Sequence, residues 1–135
     1  MRALRARLET QDLDARTCLI VDDSRIIRKV ARRIVEGLGF EVDEAADGAE
    51  ALSYCASVMP DIVLLDWNMP VMDGLTMIEE MRRMPDQMGV PIVFLTTESD
   101  EGFKARAKAA GATGWLTKPF DPDQLVRVAK KVLGR

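Results

Sequence analysis

Three short runs in this chain, "TCLIV" (17–21), "DIVLL" (61–65) and "PIVFLT" (91–96), are apolar almost from end to end. A strand with one wet face alternates apolar and polar residues, so an unbroken run marks a strand covered on both faces. A parallel sheet with helices packed above and below it meets that condition. Two further segments, "FEVDEA" (40–45) and "GWLT" (114–117), also read as strands. Between the five lie helical patterns at 24–38, 48–57, 74–84, 100–110 and 122–133. Their apolar residues recur at helical spacing, as Ile27, Val30, Ile34 and Leu38 do in the first and Leu125, Val128, Ala129 and Val132 in the last. Asp121, Pro122 and Gln124 stand where an N-cap, a first helical residue and a capping-box partner belong, and Asp47 stands three before Glu50. Gly37, Gly39, Gly89 and Gly111 fall where helices end.

Five strand–helix units in succession predict a doubly wound α/β domain over 17–135, its right-handed crossovers placing helices on both faces. Residues 1–16 differ in character: they are rich in charge, and Leu4 and Leu8 are spaced for a short helix or a frayed extension. The chain's 135 residues suit one domain, and its net charge of -3 argues against general nucleic-acid binding. No apolar stretch is long enough to span a bilayer, and the N-terminus has no apolar signal-like core, so a cytoplasmic protein with no membrane partner is expected. Cys18 and Cys55 form no C-x-x-C and read as buried thiols in a reducing compartment. The chain has no histidine, which excludes histidine general-base and histidine–metal chemistry.

In open parallel sheets, function sits beyond the carboxyl ends of the strands. Here those ends deliver Asp22 and Asp23, Asp66, then Thr96, Thr97 and Glu98, with Lys118 and Pro119 after the last strand. Each element has an ordinary explanation by itself. Asp22–Asp23 before Ser24 could cap a helix, Thr96 could reflect strand propensity, and Lys118 could be a solvated lysine. Asp66 is harder to dismiss, because an acid after four apolar residues of a central strand needs a partner. Gathered on one edge, three carboxylates repel one another unless something positive intervenes. A hard divalent cation suits them: Mg²⁺ takes one or two carboxylates, waters and phosphate oxygens. An aspartate can also act as a nucleophile, with a hydroxyl and an amine for phosphoryl oxygens. Together these parts make a phosphoryl-transfer site.

The motifs "VDDS", "LLDWNMPVMDG", "VFLTT" and "LTKPF", in this order, resemble those of the receiver domain of two-component response regulators, over residues 17–134. The chain looks most like the stand-alone, chemotaxis-type members. The resemblance implies a flavodoxin-like (βα)5 fold with a parallel sheet in the order 2-1-3-4-5. It implies that Asp66 is the phosphoacceptor. It also implies that Asp23 and Asp66 bind Mg²⁺ directly, Asn68 through its backbone carbonyl and Asp22 through a metal-bound water. Thr96 and Lys118 would contact the phosphoryl group, the Lys118–Pro119 bond would be cis, and Pro70 and Gly74 would shape the loop after Asp66. Asn68 and Glu98 hold the positions that tune hydrolysis in the family, and the pair resembles that of fast-dephosphorylating members.

Two positions depart from the commonest family pattern. Thr97 replaces a small residue, and Trp115 replaces the Tyr or Phe that moves inward with Thr96 when the family switches.

The implied cycle has a sensor histidine kinase or phosphotransfer protein supply the phosphoryl group. The face formed by the 100–110 helix, the 114–117 strand and the 122–133 helix then changes shape. No output segment is expected beyond Arg135, so the signal is expected to be binding to another protein. The basic residues Lys104, Arg106, Lys108, Arg127, Lys130 and Lys131 read either as a solvated face or, with Trp115, as the docking site of an acidic or amphipathic partner, such as a flagellar-motor switch peptide. The expected state is a monomer and a phosphoacceptor rather than a turnover enzyme. A phosphate sink would use the same residues. A haloacid-dehalogenase-type phosphatase would need an acid where Asn68 stands, and a flavodoxin-like cofactor binder would want a phosphate-cradling loop where the acidic "DDSR" lies.

Overall fold

The computed structural model describes residues 16–69, 72–97 and 101–133. Five strands, β1 (Arg16–Val21), β2 (Phe40–Ala45), β3 (Ile62–Asp66), β4 (Ile92–Thr96) and β5 (Gly114–Thr117), form one parallel sheet in the order β2-β1-β3-β4-β5. The helices α1 (Arg25–Glu36), α2 (Gly48–Cys55), α3 (Gly74–Arg83), α4 (Glu101–Ala109) and α5 (Pro122–Val132) alternate with them. A short 3₁₀ turn, Pro85–Gln87, which the apolar periodicity does not foretell, leads into β4. β1 begins one residue before the apolar run, because Arg16 pairs with Phe40.

The unbroken apolar runs become the three central strands, and successive residues feed opposite cores. Leu19 and Val21 of β1, Val63 and Leu65 of β3, and Ile92 and Phe94 of β4 pack under α2, α3 and α4. Cys18 and Ile20, Ile62 and Leu64, and Val93 and Leu95 face α1 and α5. Each fully buried Leu, Ile or Phe stabilises the fold by roughly 1.5–3 kcal/mol. The edge strands carry the weaker patterns: β2 alternates in burial, and only Leu116 of β5 is buried.

Local signals agree with this frame. Ser24, Asp47, Asp73 and Asp121 each accept a hydrogen bond from a main-chain N–H three residues on and start α1, α2, α3 and α5. At α5 the capping box is complete, with the Gln124 side chain accepting from the Asp121 N–H. Gly39 and Gly111 take positive φ (95° and 103°) where the chain leaves α1 and α4. Cys18 and Cys55 are free buried thiols, and burial pushes both above the ordinary thiol range, Cys55 to about 11, which leaves them poor nucleophiles. No described helix is long and apolar enough to cross a membrane.

Candidate functional site

β1 and β3, adjacent in the sheet, end side by side and bring their acids together beyond the carboxyl edge. One carboxylate oxygen each of Asp22, Asp23 and Asp66 lies within 4.8 Å of the others. Asp22 and Asp66 are buried and Asp23 is exposed. Such a cluster holds together only with positive charge among it, and Lys118 supplies part. Its Nζ donates to Asp22 Oδ2 at 2.9 Å and to Asp66 Oδ1 at 3.0 Å. Burial pushes Asp66 up to about 6, and the nearby Asp22 charge adds to this, while the Lys118 ammonium pulls the other way. Burial lowers the basicity of Lys118, but its bonds to the two carboxylates outweigh that and hold it above the ordinary lysine value.

The loops aim these groups. The Lys118–Pro119 bond is cis, and the Lys118 N–H donates to the Thr96 carbonyl at 2.6 Å, which ties the β5 exit to the end of β4. Thr96 itself is buried, and Thr97 beside it is exposed. After Asp66 the chain is gripped at once. The Trp67 N–H donates to Leu95 O, the Asn68 N–H to Asp66 Oδ1 at 3.3 Å, and the Gly74 N–H closes back on Trp67 O at 3.0 Å. At Gly74 a Cβ would lie 2.5 Å from the Asp66 carbonyl oxygen and 3.0 Å from Trp67 Cα, both main-chain atoms, so only glycine fits.

Asp22, Asp23, Asp66, Asn68, Thr96 and Lys118 therefore converge at one place. Glu98 and Pro70 lie outside the described residues. The basic residues named from the sequence are more scattered. Trp115 is half-buried against Phe103 of α4, with Lys104 Nζ 5.5 Å from its ring centroid, and Arg127 and Lys131 of α5 line grooves beside it. Lys108 and Lys130 are exposed on the same two helices.

Sequence reasoning passed over Trp67. Its ring stands edge-on to Phe94 (4.8 Å between centroids) and to Phe103 (4.6 Å), with the Arg106 guanidinium 5.7 Å away. The residue next to Asp66 thus packs directly on α4, and Phe103 continues the contact to Trp115. The helical spacing of Phe103 marked it as apolar but could not show which aromatic it meets.

The comparisons with known proteins agree with this geometry. The response regulator receiver domain family matches residues 18–130. The chain belongs to this family. The receiver domain superposes on the Vibrio cholerae chemotaxis protein CheY4 with a TM-score of 0.85, at 40% identity over 88% of this chain and 99% of that one. It is also similar to the receiver domain of a Pseudomonas aeruginosa sensor histidine kinase crystallised with a magnesium ion coordinated in the active-site cleft (TM-score 0.82, 29% identity, covering 90% of this chain and 99% of that one). Against the phosphate regulon transcriptional regulatory protein PhoB of Escherichia coli it is 35% identical over 90% of this chain and 53% of the relative. The receiver domain thus spans about half the length of these curated relatives. Receiver domains bind Mg²⁺ at an acidic cluster, and the all-oxygen donor set of Asp22, Asp23 and Asp66 suits that hard cation.

Proposed function

We propose that this receiver domain accepts a phosphoryl group on Asp66 from a histidine kinase or phosphotransfer protein. In this reading an Asp66 carboxylate oxygen attacks phosphorus in line. A P–O bond to Asp66 forms as the bond to the donor breaks, and the electron pair leaves with the donor nitrogen or oxygen. The observation that carries the reading is the triad of acids at the ends of β1 and β3, two of them bridged by Lys118 from beyond β5. Asp22, Asp23 and the backbone carbonyl of Asn68 would hold Mg²⁺ together with Asp66, and the ion would supply charge compensation for the transferred group. Lys118, released from Asp66 Oδ1, would pair with a phosphoryl oxygen, and the Thr96 hydroxyl would donate to another. Asn68 and Glu98 would set the lifetime of the acyl phosphate. The chemistry is that of an acceptor that holds its phosphoryl group briefly before losing it to water, not of a turnover enzyme.

The added charge of about -2 would shift the domain between two states and change the face built from α4, β5 and α5. Output by protein binding at Lys104, Lys108, Trp115, Arg127 and Lys130 follows, with a chemotaxis-type partner supported by the full-length match to CheY4. The test is incubation with Mg²⁺ and acetyl phosphate, read by intact mass. One added phosphate, absent in D66A, is expected. No adduct, with steady hydrolysis of a test phosphoester, would overturn the reading in favour of a phosphatase. Pull-down of the phosphorylated form with K104E/K108E tests the face, and undiminished capture would exclude it.

A further inference from the structure

The acid cluster has a support on the side away from Lys118, built from α1 and β2. Arg28 of α1 donates from Nη1 to the main-chain carbonyl of Asp22 at 2.7 Å and from Nε to Glu44 Oε1 at 3.0 Å. Arg32, one turn on, donates to Glu44 Oε2 at 2.6 Å and to the Val42 carbonyl at 3.1 Å. Glu44 is thereby shared by two guanidinium groups, and all three side chains are no more than a quarter exposed. Burial alone would raise the Glu44 carboxyl, but the hydrogen bonds from Arg32 and Arg28 hold it below its ordinary value.

The carbonyl that Arg28 grips belongs to the peptide joining Asp22 to Asp23. A peptide is planar, so fixing its oxygen fixes its orientation and the direction in which the next residue leaves. The Asp22 N–H is pinned as well, to Ala45 O at 3.1 Å, next to Glu44 in β2. The Asp22 carboxylate is held separately by the Ser24 N–H at 2.8 Å and by Lys118. Two of the three acids thus share one main-chain link, and an arginine braced from the edge strand sets its plane.

We propose that Arg28 is a positioning residue, braced by Glu44, that aligns Asp22 and Asp23 for a divalent cation and so sets the affinity of the cluster for it. The inference rests on the Mg²⁺-site reading above. Charge and geometry make opposite demands, which makes it testable. A guanidinium repels a nearby cation, so if Arg28 acted only through charge, its loss would tighten Mg²⁺ binding. If it acts by alignment, its loss weakens binding, as removal of an outer partner does at metal sites.

The experiment is calorimetric titration of the wild-type chain, R28Q and R32Q with MgCl₂, beside thermal melts in EDTA. R28Q is expected to bind Mg²⁺ about ten-fold more weakly. R32Q, which leaves the Arg28 contacts to Glu44 and Asp22 in place, keeps wild-type affinity although its melting temperature falls. Acetyl phosphate labelling of R28Q recovers at saturating Mg²⁺. Unchanged or tighter binding by R28Q overturns the proposal, as does an equal loss of affinity in R32Q. Should R28Q not fold, R28M, which keeps the aliphatic stem, is read in the same way. Failure of the wild-type chain to bind Mg²⁺ would instead sink the metal-site reading and this inference with it.

Discussion

The two edges of the sheet hold acids in opposite ways. At the amino edge, Asp61 accepts from the Thr17 N–H at 2.7 Å and from its hydroxyl, and it caps the start of the β1–β3 pair. Nearby, Gln87 donates to the carbonyls of Cys55 and Val58, and Arg82 to those of Gln87 and Gly111. At the carboxyl edge, three acids crowd together with one lysine bonded to two of them, and Asp66 is pushed up to about 6. The first arrangement gives its side-chain donors main-chain partners and holds the loops in place, although the buried Gln87 Oε1 accepts no hydrogen bond from the described residues. The second leaves like charges facing each other, a cost that bound positive charge offsets. One fold therefore separates a structural end from a reactive end.

Substitutions that disturb one edge and spare the other sharpen this contrast, and the largest effect belongs to Gly74. Its Cβ would meet main-chain atoms of Asp66 and Trp67 that cannot yield, so G74A should cost about 3 kcal/mol in chemical denaturation and lower Mg²⁺ affinity too. At the amino edge, Q87A would leave two buried carbonyls without their donor, a loss of about 2 kcal/mol. Phosphoryl acceptance by folded Q87A should equal wild type; a lowered rate would break the separation of the two ends.

A change at Asp66 should have the reverse sign. A rise from 3.8 to about 6 disfavours the ionised form by about 3 kcal/mol. D66N carries no charge to desolvate, so it should stabilise the metal-free protein by about 1–3 kcal/mol at pH 7 while abolishing the phosphate adduct. The pH dependence has a definite sign. An acid whose folded value lies above its unfolded value contributes stability that is present at low pH and lost as pH rises through the folded value. Melting in EDTA should show wild type falling relative to D66N between pH 4 and about pH 6. Parallel curves would mean that Asp66 is not strained. The smallest effect is expected away from both edges. E80A removes a pair with the largely exposed Arg83 and should change stability by no more than about 0.5 kcal/mol.

How much of this was legible in the sequence follows from the range of each interaction. Strands β1, β3 and β4 could be read because two-sided burial erases alternation, and the starts of α2 and α5 because Asp47 and Asp121 act on residues three positions away, whereas at α1 the cap is Ser24 and not the acids before it. The site residues could be named because parallel strands all deliver their ends to one edge, and the resemblance assigned them roles. What escaped was lateral. Nothing in the spacing says that Trp67 meets Phe103 or that Arg28 reaches back to the Asp22 carbonyl, nor that the polar Gln87 lies buried between two loops. Those contacts depend on how helices settle on the sheet, which a one-dimensional pattern does not encode.

The strand that carries Trp115 is also the one held by the fewest rungs. β5 pairs with β4 over four residues and, among the described residues, has no strand on its other side, whereas the opposite edge strand, β2, pairs over six. Its amides should therefore exchange with solvent sooner than those of β1, β3 or β4, through small openings that leave the rest of the sheet closed. A signal that reached this border would find a hem already loose, and would need to bias its breathing rather than unpick a sealed ladder.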